Sequence, residues 1–128
     1  MKKEGNEMRV AIIGTRDSGD LTVEQIIPYI PQNCSEIISG GAQGVDRLAE
    51  EAAARLNIPM KIILPDYETY GRTAPLERNK LIVERAALVL AFWDVQSRGS
   101  ANTLAYCVQT HTPFKIITLD SPQSKRGK

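Results

Sequence analysis

Apolar positions gather in five short, β-branched blocks, at residues 9–14, 36–39, 61–64, 87–92 and 114–119. Most blocks are nearly continuous rather than alternating, the pattern of strands covered on both faces. The stretches between them carry helical spacing. Thr22 and Gln25 stand as a capping box ahead of Ile26, Ile27 and Ile30, with Pro28 expected to kink that helix. Val45, Leu48, Ala49, Ala52, Ala53 and Leu56 trace one face of a second helix that closes at residues 57–59. Pro75 suits the first turn of a third, which runs through Leu76, Leu81, Ile82 and Ala86. A fourth extends from about Ser100 to His111 and stops before Pro113.

Strand and helix thus alternate throughout. The pattern predicts an α/β fold: a single Rossmann-like three-layer domain, with a parallel sheet of about five strands and helices on both faces. It assigns residues 9–120 to that domain, residues 1–8 to a flexible N-terminus and residues 121–128 to a disordered basic tail.

Composition narrows the picture. The 128 residues can bury one core, and 42% hydrophobic with 24% charged residues is ordinary for a globular chain. A net charge of +1 supplies no global attraction to nucleic acid or to a membrane. Cys34 and Cys107 have no metal-binding or redox spacing and read as reduced thiols of a cytoplasmic protein. The charged N-terminus lacks the apolar centre of a signal peptide, and no apolar run is long enough to span a bilayer.

Ligands of open α/β sheets bind beyond the carboxyl ends of the strands. Gly14, Thr15, Arg16 and Asp17 follow the first block, and Ser39, Gly40, Gly41, Gly44 and Asp46 follow the second. Tyr67, Tyr70 and Arg72 come after the third; Trp93, Asp94, Gly99 and Ser100 come after the fourth. Three glycines in five residues at a helix entry suit a phosphate cradle made of backbone amides, and a tight turn needing glycine is the alternative. The Walker and dinucleotide fingerprints are both absent. Asp46 favours the helix dipole with or without a ligand hydroxyl. Arg16 can grip a phosphate or pair with Asp17. Gly99 and Ser100 read as a second anion site or an ordinary cap. Tyr67, Tyr70 and Trp93 can stack on a base or close the core. Arg78 and Asn79 read by periodicity as a solvated helix face, and His111 as a cation at a helix end.

The motifs Gly14-Thr15-Arg16-Asp17, Ser39-Gly40-Gly41-Ala42-Gln43-Gly44-Val45-Asp46, Tyr70-Gly71-Arg72, Arg78-Asn79 and Gly99-Ser100 together resemble the SLOG superfamily, most closely its small YspA-type (cpYpsA-related) members. The resemblance implies a nucleotide or nucleotide derivative bound on this rim, with no further cofactor, in a sensor or binding module. Arg78 and Asn79 join the ligand-binding set through it. Two related families set the alternatives. Lonely Guy phosphoribohydrolases suggest N-glycosidic cleavage, but Thr103 stands in place of their glutamate, leaving Asp94 and Asp46 as substitute carboxylates. The DprA/Smf proteins share the Gly-Gly-Ala-x-Gly-x-Asp element and bind single-stranded DNA. Near-neutral charge and 5% aromatics place that partner behind a small nucleotide, although Arg16, Arg47, Arg72 and Arg98 can form a local basic patch. Self-association stays open.

Overall fold

The computed structural model describes residues 7–119. Five parallel strands, β1 (Met8–Gly14), β2 (Cys34–Ser39), β3 (Met60–Ile62), β4 (Leu88–Trp93) and β5 (Phe114–Thr118), form one sheet in the order β3-β2-β1-β4-β5. The strand order reverses at β1, so the chain winds outward to β3 and returns to start the other half at β4. This is the doubly wound Rossmann-like arrangement that the alternating pattern predicts.

The pleat explains why the strands read as continuous apolar runs. Successive side chains point to opposite faces, and both faces are covered. Val10, Ile12, Ile37, Leu90 and Phe92 point to one side. There they pack on α1 (Val23–Ile26) and α2 (Val45–Leu56), which contribute Val23, Ile26, Val45, Ala49, Ala52 and Ala53. Ala11, Ile13, Ile38, Val89 and Ala91 point the other way, onto Ile82 and Val83 of α4 (Ala74–Arg85) and Leu104 and Cys107 of α5 (Arg98–Thr110). Burying each large aliphatic side chain contributes about 1.5–3 kcal/mol. The central strands therefore fix the sheet, and the helices follow from their single apolar stripe.

Local differences from the sequence expectations have physical causes. Met8 belongs to β1, where its N–H donates to the Asn33 carbonyl at 3.1 Å, so it is not part of a free N-terminus. Residues 1–6 and the proposed tail at 121–128 lie outside the described residues. β2 starts at Cys34, two residues earlier than the apolar pattern indicates, because backbone pairing with Met8 does not depend on side-chain polarity. Pro28 is accommodated by tightening: α1 ends at Ile26 and a 3₁₀ turn covers Ile27–Tyr29. A short helix α3 (Tyr67–Tyr70) is unannounced by any periodicity; Asp66 caps it by accepting the Thr69 N–H at 3.1 Å. His111 ends α5 in the left-handed region at φ 59°, and this conformation defines its place at the helix end. Among the described residues no helix is long and apolar enough to cross a membrane, and no His/Cys/Asp/Glu group suits a metal ion.

Candidate functional site

A cleft of about 520 Å³ opens beyond the carboxyl ends of β1 and β4, where the strand order reverses. Its floor is the segment from Ile13 to Asp17, one wall is Gly40, Ala42 and Asp46, and another is Pro75, Arg78, Asn79 and Ile82 of α4. Ser97, Gly99, Ser100 and Thr103 at the start of α5 complete it. The structure thus brings together nine of the expected site residues: Gly14, Thr15, Arg16, Gly40, Asp46, Arg78, Asn79, Gly99 and Ser100. Ser39, Gly41, Gly44, Tyr70, Arg72 and Asp94 do not line it.

The glycine turn after β2 is already hydrogen-bonded to its own protein. The Gly41 N–H donates to the Ser39 hydroxyl at 3.2 Å, and the Ala42 N–H donates to Asp46 Oδ2 at 3.1 Å. Gly44 holds φ 71°, and a Cβ there would collide with the Arg16 and Thr15 carbonyl oxygens, because the Val45 N–H reaches the Thr15 carbonyl at 3.2 Å. Gly41, at φ 73°, faces Ile62 and Leu64. The amides of this turn therefore serve the fold, and the cradle expected from the glycines is largely closed. Gly40 is different: its missing side chain lets Arg78 lie against the backbone, since a Cβ would stand 2.6 Å from Arg78 Nη1 and 3.1 Å from Asp46 Oδ2.

Arg78 is a tied arginine rather than a solvated one. Its Nη1 donates to the Gly40 carbonyl at 2.8 Å and more weakly to the Ile63 carbonyl at 3.4 Å, while Nε donates to Asn79 Oδ1 at 2.8 Å. α4 is thereby stapled to the ends of β2 and β3, and the guanidinium is presented at the cleft. Burial lowers its pKa, opposed by the charge of Asp46. Burial likewise raises the pKa of Asp46, opposed by the Ala42 amide and by Arg78. Arg16 is exposed on the floor segment, while Asp17 turns back to accept the Gly19 N–H at 3.2 Å.

The entry to α5 is the open part of the site. Ser97 is the N-cap, and no acidic residue occupies the first turn. Ser100 therefore lies inside the first turn rather than at the cap, 5% exposed, with its Oγ accepting from Ser97 Oγ at 3.4 Å. The loop that delivers this turn is tightly held. Asp94 Oδ1 accepts the Gln96 and Ser97 N–H groups, both at 2.9 Å, and the Asp94 N–H donates to Thr15 Oγ1 at 3.0 Å. Burial opposes the charge of Asp94, but these donors outweigh it and keep its pKa below the usual value. Trp93 Nε1 donates to the Ser97 carbonyl at 3.0 Å, so its ring is anchored in the loop and not offered to a ligand. Thr103 donates to the Gly99 carbonyl at 2.9 Å, and the substitute carboxylates Asp94 and Asp46 are both committed to backbone amides.

The start of α5, two arginines and a serine thus meet at the topological switch point of a Rossmann-like sheet. The model for the DNA recombination-mediator protein A family matches residues 2–67, just over half of the chain, and the chain belongs to that family. The match supports the likeness to the DNA-processing relatives and does not extend to the YspA-type members. DNA processing protein A from Streptococcus pneumoniae is similar over 92% of this chain at 16% identity and TM-score 0.75, and 53% of its own chain is covered. DNA processing protein A from Helicobacter pylori, solved for its single-stranded DNA binding mode, is similar over 90% of this chain and 67% of its own, at 21% identity and TM-score 0.71. The chain therefore spans about half the length of the pneumococcal protein. No curated protein matches the sequence.

Proposed function

We propose that the cleft binds a phosphodiester of single-stranded DNA. The observation that carries this reading is the convergence of Arg16, Arg78 and the acid-free first turn of α5 on one cleft in a chain whose net charge is only +1. Asp17 and Asp46 line the same cleft, and their carboxylates accept the Gly19 and Ala42 N–H groups. Family membership moves a strand of nucleic acid ahead of the free nucleotide favoured by composition. In this reading Arg16 supplies a bidentate grip, the tied Arg78 a fixed counter-charge, and Ser100 with the adjacent amides the remaining donors. Tyr67 and Tyr70, 61% and 45% exposed on α3, lie next along the rim and offer stacking surfaces to adjoining bases, with Arg72 beside them.

Fluorescence anisotropy with a labelled thymidine oligonucleotide tests the proposal. Binding should weaken with salt, log K falling by about 0.7 per log unit of salt for each phosphate engaged. A mononucleotide should compete poorly. If a mononucleotide binds as tightly as the oligomer, the site is a small-molecule site, whose usual volume range includes 520 Å³. A salt-independent affinity defeats the phosphate reading outright.

A further inference from the structure

β5 lies at one end of the sheet, with β4 on one side and, among the described residues, no strand on the other. Two hydrogen bonds show which of its backbone groups are already used. The Pro113 carbonyl accepts the Val89 N–H at 3.0 Å, and the Leu119 N–H donates to the Trp93 carbonyl at 2.8 Å. Backbone groups alternate in direction along a strand, so positions 113, 115, 117 and 119 face β4. The N–H and C=O groups of Phe114, Ile116 and Thr118 point outward. Side chains of the same three residues share the α5 face of the sheet, in register with Val89, Ala91 and Trp93. Phe114 and Ile116 are 39% and 40% exposed there. α5 extends this apolar patch. It packs over β4, and its Tyr106 turns toward α4, donating to Glu84 at 2.7 Å. Helical spacing then sets Ala101, Ala105 and the exposed Val108 on the opposite flank, beside β5.

We infer that β5 pairs with β5 of a second copy, antiparallel about a two-fold axis at Ile116, joining the two sheets into one. The outward groups set the register. Ile116 opposes the partner's Ile116 and Phe114 opposes the partner's Thr118, each pair exchanging both N–H···O bonds. Pro113 does not interrupt this, because its missing N–H would have faced β4. On the α5 face, Phe114, Ile116 and Val108 of both copies then meet as one apolar cluster. Lys115, the one charged residue of β5, stays on the other face with its Nζ 5.4 Å from the Tyr29 ring. It opposes the partner's Ile117, so the two lysines do not confront each other. The other end of the sheet is guarded against pairing. β3 has 3 residues, carries the exposed Lys61 and lies between Pro59 and Pro65. One usable edge per copy stops the assembly at two. Antiparallel pairing leaves the two phosphate clefts open at opposite rims, and it does not depend on the reading proposed for them.

Sedimentation of the full chain from micromolar to near-millimolar concentration tests the pairing: the mass should rise from 14.1 kDa toward twice that value and stop there. Amide hydrogen exchange read by NMR should slow in step at Phe114, Ile116 and Thr118, about tenfold once nine-tenths of the chains are paired, and stay unchanged at Lys61. Ile116→Lys sets like charges opposite each other at an exposed strand position. It should be monomeric with a native spectrum, and so should Ile116→Glu. Mixing the two variants in equal amounts should restore the doubled mass, because the residues facing each other at the two-fold axis are then oppositely charged. A wild-type chain that stays monomeric throughout overturns the proposal. So does a dimer whose three β5 amides stay unprotected, an assembly that grows past two, a variant that still dimerises alone, or a mixture that stays monomeric. If either variant loses its native spectrum, the mass and amide protection of the wild type decide the matter.

Discussion

The turn after β2 and the turn after β4 each join a strand end to a helix, the first through glycines and the second through Asp94, Val95, Gln96 and Ser97. Their hydrogen-bond accounts differ. The first spends its amides on Ser39 and Asp46 and uses Gly44 to fit beneath the Arg16 carbonyl. The second has its loop held by Asp94 from behind, which leaves the start of α5 facing the cleft. Glycine count therefore identifies where the chain is tight, and the destination of each N–H identifies where an anion can sit.

The sharpest way to break this comparison is Gly44→Ala. Positive φ and collision with two carbonyls should cost about 3 kcal/mol, read by urea denaturation. A near-neutral result would mean that the turn is looser than its bonds imply. Next comes Asp46→Ala, which strands the Ala42 N–H and should cost about 2 kcal/mol. Asp46→Asn sharpens the point through pH. Because burial raises the carboxyl pKa in the fold, the folded protein holds the proton more tightly than the unfolded chain. Wild-type stability relative to Asp46→Asn should then rise as pH falls through that raised value, with the gain complete below the ordinary value of 3.8. The opposite slope would show the carboxylate to be stabilised as a charge.

Arg16→Ala probes the open side. It should weaken oligonucleotide binding about tenfold, or 1.4 kcal/mol, and leave stability unchanged because the side chain is exposed. The smallest change is the most discriminating. Gly99 has open space at its Cβ, so Gly99→Asp puts a carboxylate at the start of α5 without strain. The helix dipole should reward it with about 0.5 kcal/mol of stability while anion binding falls. A variant both more stable and still able to bind would move the anion away from this helix.

The sheet was legible because both faces of its central strands are apolar, so the runs around Val10, Ile37 and Leu90 needed no periodicity to be recognised. α3 was not, since four residues are too few to show a stripe; Asp66, three residues before Thr69, was its only signal. At the site, Arg16, Gly40, Asp46 and Ser100 followed from position after a strand. Arg78 and Asn79 entered only through the family likeness, because their partners Gly40 and Ile63 are distant in sequence and no local pattern encodes them. Gly41 and Gly44 fit a cradle as well as a tight turn in sequence, because permissive backbone looks the same whether it meets a phosphate or a carbonyl. Ala42, Pro75 and Ser97, which also line the cleft, carry no distinguishing chemistry in sequence.

The position of β1 has a consequence for how the chain acquires its site. β1 pairs on one side with β2, about twenty-five residues onward, and on the other with β4, where Val10 meets Leu88. A chain emerging from the ribosome can complete β1 to β3 early, yet the second flank of β1 stays unsatisfied until β4 has been made. Nascent chains arrested before residue 88 therefore present an open sheet edge, the kind of surface that chaperones hold and that misassembles when left bare. The cleft is born with the closure of that edge.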